Sequence, residues 1–392
     1  MKNIFIIIAF FVAANAALAQ RIDDAVSEIL SNNKQIKAHT EYVNTLNFEY
    51  RINNLPPNPS ISYTYMMNSA DTDLNRTELI VGQKFDFPTT YFIKSDIARK
   101  RGELGKFEIE TFRKDMILQA KDALIDYVFL DKMQSRLSER MQIAQNLVDI
   151  AQKRHESGDI GITDYNKART ELLKLRNAQS INDSELEFVQ NRITELNGGI
   201  QIDLSGLSLN DEQSLPTFDE LYEQIYSKSS ELQSLQREND LTESKVKLAN
   251  HQWLPGFELG YRQDNEQGTR YSGIHFGLSI PIFENMNKVS KAKSELQLVS
   301  LKINSYQNEL KLNKKRLFDK VIATRNAITE YMEILSTSNN ATLLGKSLES
   351  GNISMLEYYF ELGYYYEIED SLIRLQSIYE KALGELTLEL FE

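Results

Sequence analysis

The feature that most constrains this chain is a pair of Ser-Gly segments, each of which follows a proline motif at the same distance. The segments 157–162 and 350–355 match in residue type and lie 193 residues apart. The motifs Phe87-Pro88 and Ile280-Pro281, each closing an alternating apolar run, are separated by the same 193 residues. A period near 200 residues exceeds that of solenoid repeats, which indicates one duplicated domain rather than an array.

Long helical arms are predicted between each proline and its Ser-Gly pair. Each interval contains 69 residues, and a helix of that length would be roughly 100 Å long. In the first arm, apolar residues recur at steps of three and four that average about 3.5, which is the coiled-coil period. Return helices are expected over 163–197 and 354–390. The sequence therefore predicts two long coiled-coil hairpins rather than one globular core.

Four segments alternate between apolar and small or polar residues, which is typical of half-buried strands. They form two predicted hairpins, 58–88 and 256–281, and each strand has about ten residues, as a tilted strand that crosses a bilayer requires. The candidate lipid face consists of Ile61, Tyr63, Tyr65, Leu79, Val81, Phe85, Phe257, Leu259, Tyr261, Ile274, Phe276 and Leu278. Aromatic residues near the strand ends, among them Trp253 and Tyr271, resemble the girdles of membrane barrels.

Four strands are too few to close a barrel across a membrane. Because open sheet edges are not tolerated in hydrocarbon, several chains must complete the sheet, and three chains would supply twelve strands. The alternative is that the two hairpins pack face to face as a small soluble sandwich.

Two shorter helices precede the hairpins, over 22–53 and 217–251. Leu-Pro motifs at Leu55-Pro56 and Leu254-Pro255 end them, since proline lacks the amide donor. The first repeat then covers 20–199 and the second 217–392, and segment 22–53 is expected to stack end to end on a return helix. The linker 200–216 is expected to pack as a belt around the helical part, and Thr217 to Glu220 have capping-box spacing.

Residues 1–19 have the character of a secretory signal peptide. Lys2 precedes an apolar stretch, and Ala17-Leu18-Ala19 form a small-x-small cleavage pattern before Gln20. An uncleaved anchor helix is the alternative. No later stretch has about 18 consecutive apolar residues, so no membrane-spanning helix is expected after the leader. The 392 residues include no Cys, which removes disulfides and the lipid attachment residue of a bacterial lipoprotein.

Composition and motifs argue against several classes of function. The net charge of -12 leaves no basic cluster to neutralise the phosphates of a nucleic acid. The four histidines are scattered and no Cys is present, so a zinc site is not expected. Since nucleophile-elbow, Walker, dinucleotide-binding and zincin motifs are all missing from the sequence, we expect neither an enzyme nor a cofactor.

The order helix, hairpin, long helix, Ser-Gly turn and helix, stated twice, resembles the outer-membrane efflux family, the TolC-like channels. The resemblance covers essentially the whole mature chain. The residues that carry it are Leu55-Pro56 and Leu254-Pro255 before strands, the run 277–283 that leads into the second arm, and Ser350-Gly351-Asn352-Ile353 at the turn.

This resemblance implies a mainly α fold with a small β part. A homotrimer would form a twelve-stranded barrel in the bacterial outer membrane and a helical tunnel, an α-barrel, in the periplasm. Its function would be that of a passive exit duct in a tripartite efflux or type I secretion system. The implied partners are outer-membrane lipid, a periplasmic adaptor protein and an inner-membrane transporter of RND or ABC type.

By position, the resemblance also assigns site residues. The adaptor-docking turns would be Ser157, Gly158, Asp159 and Ile160, together with Ser350, Gly351, Asn352 and Ile353. The acids expected to constrict the periplasmic entrance fall at Asp164 and Glu357. A second acid expected one turn later falls instead at Phe360, and an expected basic residue falls at Ile353, so the gate is predicted to be apolar rather than ionic. Two simpler roles are also open. Each glycine could end a helix in the left-handed conformation, and each acid could stabilise a helix N-terminus through the helix dipole.

Two further classes of protein remain open at this point. A periplasmic adaptor protein would carry one helical hairpin and glycine-rich β-modules, whereas this sequence predicts two hairpins and amphipathic strands. A secreted structural coiled coil would leave the two strand pairs without purpose.

Overall fold

A computed structural model of the chain describes residues 21–67, 69, 75–209, 215–283, 285–337 and 340–391. The predicted signal peptide, 1–19, lies outside these residues. The fold is mainly α-helical with one small antiparallel sheet, which confirms the predicted fold class.

The helices occur in the predicted order, but the second arm begins at Lys288 rather than directly after Pro281 as predicted. They are α1 (Ile22–Asn32), α2 (Lys34–Ile52), α3 (Pro88–Glu156), α4 (Ile162–Leu196), α5 (Phe218–Lys228), α6 (Ser230–His251), α7 (Lys288–Thr337), α8 (Asn340–Glu349) and α9 (Met355–Thr387), which a short 3-10 helix extends to Leu390. Among the helices described, none has both the length and the apolar character that crossing a membrane requires.

The chain divides into two compact units, each of which takes segments from both halves of the sequence. The helical unit contains the residues up to Lys34, Ile117–Ser214 and Lys320–Glu385. The sheet unit contains Gln35–Met116, Leu215–Asp319 and the residues from Leu386 onward. The division of the sequence into repeats 20–199 and 217–392 stays a prediction.

The core of the helical unit forms where α3, α4 and α9 meet. Leu147 and Ala151 of α3, Leu172 of α4, and Tyr358 and Leu362 of α9 are all buried in one cluster. Burying a leucine side chain contributes roughly 1.5–3 kcal/mol relative to leaving it exposed. The apolar stripe predicted along α3 therefore faces its partner helices in this unit.

The prediction of one uninterrupted helix over 22–53 is wrong at Asn33. There φ is -59° and ψ is 118°, so α1 ends and α2 begins anew. The buried Asn33 side chain donates to the carbonyl of Leu196 at 2.9 Å, and Asn32 Nδ2 donates to Asn197 Oδ1 at 3.0 Å. The C-terminal end of α4 thus contacts the segment at the break. The last carbonyls of a helix have no donor within the helix, and the Asn33 side-chain amide supplies one here.

The prediction of one helix over 217–251 is wrong at Ser229 for a related reason. Ser229 is completely buried and extended, with φ -63° and ψ 108°. Its hydroxyl accepts from the N–H of Leu232 at 3.3 Å and caps the start of α6. The Tyr306 hydroxyl lies 3.2 Å from the same oxygen. The Ser229 hydroxyl therefore stabilises the start of a new helix at a position where the apolar periodicity predicts a continuous one.

The linker between the two halves is described as far as residue 209. Leu204 is buried, and Arg21 forms a parallel bridge with Ser208 at the start of α1. Residues 210–214 lie outside the described part of the chain. The capping box predicted at Thr217 is confirmed: Glu220 Oε2 accepts from the backbone N–H of Thr217 at 3.1 Å, while Thr217 Oγ1 caps the Glu220 N–H.

The four strands form a single sheet in the order β1 (Ser60–Met66), β2 (Arg76–Phe85), β3 (Gly256–Glu266) and β4 (Thr269–Ser279), with all neighbours antiparallel. The alternative of two hairpins packed face to face is therefore wrong, because β2 and β3 join the hairpins through their backbones. Among the residues that the structure describes, β1 pairs only with β2 and β4 only with β3, so both are edge strands.

Candidate functional site

One face of the sheet is mainly apolar, with polar residues such as Gln83 and Arg270 among its apolar side chains. Ile61, Val81, Tyr261 and Ile274 are successive cross-strand partners on β1 to β4 and form one row. Because side chains alternate along each strand, residues two apart from this row share its side. This apolar face contains all twelve residues assigned to the lipid face from the sequence: Ile61, Tyr63, Tyr65, Leu79, Val81, Phe85, Phe257, Leu259, Tyr261, Ile274, Phe276 and Leu278.

The apolar face is largely uncovered in the isolated chain. Ile61 is 75% exposed, Ile274 is 85% exposed and Phe276 is 61% exposed. Contiguous exposed apolar surfaces of this kind mark contacts with another protein or with a membrane. The face therefore fits an apolar neighbour better than it fits water.

The opposite face of the sheet, here called the polar face, carries small and charged side chains. Gly82 and Gly260 are direct partners on this face, and a Cβ at Gly260 would lie 2.4 Å from the carbonyl oxygen of Val81. No side chain fits at Gly260, so glycine there allows β2 and β3 to approach each other closely. Tyr271 also lies on this face, opposite Asp264, so its assignment to an aromatic girdle is wrong. Tyr271 is three residues before Ile274, an odd number, so the two side chains lie on opposite faces of β4.

The first candidate docking turn joins α3 to α4 in the helical unit. Gly158 has φ +81°, and the N–H groups of Asp159 and Gly158 donate to the carbonyls of Arg154 and His155 at 2.8 and 3.1 Å. These two bonds define a Schellman motif. No atom lies within 4 Å of a Cβ built on Gly158, so backbone conformation rather than space favours glycine there.

The second candidate turn, between α8 and α9, repeats this geometry. Gly351 has φ +75°, and the N–H groups of Asn352 and Gly351 donate to Ser347 and Leu348 at 2.9 and 3.1 Å. The Asn352 amide also donates to the hydroxyl of Ser350 at 2.9 Å. The sequence match between the two turns is thus a match of backbone conformation.

The eight turn residues differ in how far they are accessible. Both isoleucines, Ile160 and Ile353, pack against the core of the helical unit and are only partly exposed. The other six residues are exposed: Ser157, Gly158, Asp159, Ser350, Gly351 and Asn352. These six are the most accessible residues of the turns, while the two isoleucines pack the turns against the neighbouring helices.

The candidate gate residue Glu357 takes part in the start of α9. Its Oε2 accepts from the N–H of Ser354 at 2.8 Å, and its own N–H donates to the Ser354 hydroxyl at 3.2 Å. This is a reciprocal capping box. Hydrogen bonds from the backbone and side chain of Ser354 lower the pKa of Glu357. The carboxylate is therefore engaged in local structure while remaining on the surface.

Asp164, which matches Glu357 in the sequence, has a different environment. It lies in the first turn of α4, where Gly161 provides no side-chain cap. Its partner is Lys167, whose Nζ lies 3.5 Å from Asp164 Oδ1. The structure thus separates the two candidate acids into one capping residue and one surface ion pair.

Phe360, the third gate candidate, lies on the exposed side of α9. It is 61% exposed, and its ring packs edge-on against that of Tyr364, with centroids 4.9 Å apart. Tyr358, by contrast, is buried in the core of the helical unit. An exposed aromatic pair therefore stands at the position where the resemblance places a second acid.

The sequence interpretation missed a buried charged cluster below the turns. Arg140 of α3 lies 3.0 Å from Glu369 Oε2 and 2.7 Å from Asp370 Oδ1, and its guanidinium covers the Tyr366 ring at 4.2 Å. Burial alone would lower the pKa of Arg140, but the carboxylates of Asp370 and Glu369 raise it by more. The available signal was an arginine adjoining the apolar stripe of α3. Its partner acids lie on α9, the return helix of the second hairpin.

Comparisons with known proteins reveal a structural likeness only. No family model matches the sequence, and no curated protein is recognisably similar to it. The outer-membrane channel OprN superposes with a TM-score of 0.78 at 13% identity, covering 94% of this chain and 89% of that one. The outer-membrane protein VceC from Vibrio cholerae gives 0.76 at 13% identity, covering 95% and 97%. The open state of the MtrE outer-membrane channel from Neisseria gonorrhoeae gives 0.73 at 14% identity, covering 95% and 89%.

At this level of identity the likeness concerns the fold. It extends over at least 94% of this chain and 89% of each of the three others, so it concerns the fold as a whole rather than one segment. The TolC-like fold inferred from the sequence is therefore confirmed.

Proposed function

We propose that this chain is an outer-membrane exit duct, a passive channel that carries solutes from the periplasm to the outside. The observation that carries the proposal is the apolar face of the sheet, which is exposed in the single chain and continuous across all four strands. The fold shared with solved outer-membrane channels supports the same conclusion.

The faces and edges of the sheet support a trimer in the outer membrane. Lipid would cover the apolar face, while the polar face would line a water-filled interior. Within the described part of the chain, β1 and β4 each have one free edge, and hydrocarbon does not tolerate unpaired backbone groups. Three copies would pair these edges in a ring and close a barrel of twelve strands.

The helical unit would provide the periplasmic end of the duct. Exposed residues of the two Schellman turns, such as Asp159 and Asn352, would meet a periplasmic adaptor protein. The entrance would be narrowed by Asp164, Glu357 and Phe360, with the Phe360–Tyr364 pair making part of the constriction apolar. An inner-membrane transporter of RND or ABC type would supply the energy, in a tripartite efflux or type I secretion system.

The same proposal includes export through a cleaved leader and no lipid anchor. The chain would begin at Gln20 after cleavage, and no cysteine is present to receive a lipid. N-terminal sequencing of the membrane-inserted protein tests this part directly. A first residue of Gln20 supports the proposal, whereas retention of the leader would indicate an anchor helix.

The experiment that tests the proposed function begins with the full chain expressed in a bacterium that has an outer membrane. We expect the protein in the outer-membrane fraction, released by detergent as a particle of three chains that conducts ions in a planar lipid bilayer. A periplasmic adaptor or a structural coiled coil would instead be recovered in the soluble fraction or with the inner membrane, without conductance. Either of those results would overturn the proposal.

A further inference from the structure

Four charged side chains form a connected cluster on the polar face, where β2 meets β3. Arg262 Nη2 lies 2.7 Å from Glu78 Oε1 and 3.3 Å from Asp264 Oδ2. Arg76 Nη2 lies 3.2 Å from Asp264 Oδ2. These four residues, here called the charge band, connect strands that belong to different halves of the chain.

The register explains why both arginines are needed. Glu78 and Asp264 are direct cross-strand partners, and like charges in that relation repel. Arg262 lies opposite Ile80 and Arg76 opposite Glu266, so each arginine reaches one acid of the neighbouring strand diagonally. Arg262 also contacts Asp264, two positions along the same strand. The acid side chains are 15% and 19% exposed, whereas those of the arginines are 42% and 38% exposed. The guanidinium groups therefore cover a pair of carboxylates that would otherwise face each other.

The charge band is electrically balanced within each chain. Its two arginines offset its two acids. The row containing Glu78 continues through uncharged residues, Thr64 on β1 and Tyr271 on β4, while Glu266, opposite Arg76 at the end of β3, adds one further acid to the polar face. Removing one arginine changes the band from neutral to -1 in each chain. Three copies around one interior would then present three uncompensated negative charges at the same level.

We propose that the charge band determines the ion selectivity of the strand-built part of the duct, keeping it permeable to solutes of either sign. This inference rests on the proposed function, because it requires the polar face to line the interior. Arg262 and Glu78 are the specificity-determining pair, since they form the shortest contact of the band and connect the two hairpins. Fixed charges along a water-filled passage concentrate counter-ions, and neutralising them in pairs removes that preference.

The test measures the reversal potential of the full trimeric protein in a planar lipid bilayer under a gradient of potassium chloride. The variant R262Q is expected to shift the permeability ratio toward potassium by about twofold or more near 0.1 M salt, where the Debye length is about 10 Å. The shift should shrink near 1 M salt, where that length is about 3 Å. The variant E78Q is expected to shift the ratio toward chloride, and the double variant should restore the original value.

The matched control is R270Q, which removes the same charge from the same hairpin. Arg270 is exposed on β4 and pairs with Asn265, which places it on the apolar face. We expect no change in selectivity for this variant. Equal shifts in R262Q and R270Q, or no shift in either, would overturn the inference while leaving the proposed function intact.

Two further outcomes separate the inference from the function on which it rests. If the unmodified protein forms no conducting pore, the proposed function fails and the inference with it. If R262Q does not assemble, the exchange of Glu78→Arg with Arg262→Glu retains the ion pair and the net charge. The exchanged variant is expected to assemble and keep the original selectivity. A changed permeability ratio in this variant would contradict the inference that the net charge of the band determines selectivity.

Discussion

Val81 of β2 and Tyr261 of β3 are direct cross-strand partners, and both side chains lie on the apolar face. They belong to different hairpins, so their pairing brings the alternation of the first half of the chain into register with that of the second. Ile61 and Ile274 extend the same row to the two edge strands. The single exposed row that results underlies the first prediction.

The variant Ile61→Arg is expected to prevent insertion into the outer membrane. An arginine on the lipid face of a membrane barrel costs about 2–4 kcal/mol at the bilayer midplane. The neighbouring substitution Ser62→Arg adds the same charge on the polar face and is expected to insert. Both variants are measured by the fraction recovered in the outer membrane. Equal insertion of the two would show that the apolar face does not meet lipid.

The two glycine turns are expected to be sensitive to alanine. At Gly158 and Gly351 the backbone has φ +81° and +75°, and a residue with a Cβ loses about 1 kcal/mol in that region. Faster amide exchange at the ends of α3 and α8 would report the loss. Gly345 is the control, because it lies inside α8 and no atom lies within 4 Å of a Cβ built there. Alanine there should stabilise the helix by about 0.5–1 kcal/mol, and an equal loss at all three sites would contradict the turn geometry.

Removing Arg140 is expected to destabilise the helical unit strongly. Arg140→Met leaves Glu369 and Asp370, whose side chains are 16% and 34% exposed, without their buried cation, at a cost of about 1–3 kcal/mol in the free energy of unfolding. Arg136→Met, one turn earlier, removes only an exposed ion pair with Glu139 and should cost less than about 1 kcal/mol. Urea denaturation followed by helical circular dichroism measures both. Similar midpoints for the two variants would refute the role assigned to Arg140.

Acid conditions are expected to weaken the sheet unit through Asp96. Burial alone would raise the pKa of Asp96, but hydrogen bonds from Ser244, Arg99 and Lys100 outweigh it and lower the pKa to about 2. Because the folded-state pKa lies below the ordinary value of 3.8, the stabilisation is present above pH 3.8 and is lost as the pH falls toward 2.

The size of this effect is limited by exposure of the carboxylate. The Asp96 side chain is 37% exposed, so screening reduces the contribution to about 1 kcal/mol or less. Asp96→Asn should remove the pH dependence of this contribution between 4 and 2, and Ser244→Ala should reduce it. Unfolding midpoints measured across that pH range test the prediction. An unchanged pH profile in Asp96→Asn would contradict it.

Much of the fold was predictable because its periodicities are strong. Alternation indicated that the twelve residues share one face of the sheet, which is where the register puts them. The two breaks in the alternation are explained as well, since Ile80 lies on the polar face and Gln83 on the apolar face. The glycines of the two turns were identifiable because a left-handed helix end favours that residue. In each case a local physical rule determines which residue type is present.

The helix breaks and the buried ion cluster were not predictable in this way. Asn33 and Ser229 interrupt otherwise regular helices because of hydrogen bonds to residues distant in sequence, the carbonyl of Leu196 and the hydroxyl of Tyr306. Arg140 is buried only because two acids more than 200 positions later lie beside it. Such pairings depend on tertiary packing, and residue spacing along one segment contains no record of them.

The account depends most on closure of the sheet by three chains, and cross-linking tests that closure directly. The chain has no cysteine, so Ile61→Cys and Ile274→Cys introduce the only thiols, one on each edge strand. Within one chain these positions are separated by three strand spacings, about 14 Å, whereas a disulfide requires Cα atoms less than about 7 Å apart, so mild oxidation joins only neighbouring copies. We predict a covalent species of three chains from the double variant in detergent and none from either single variant. A double variant that remains a single chain after reaction would contradict the account.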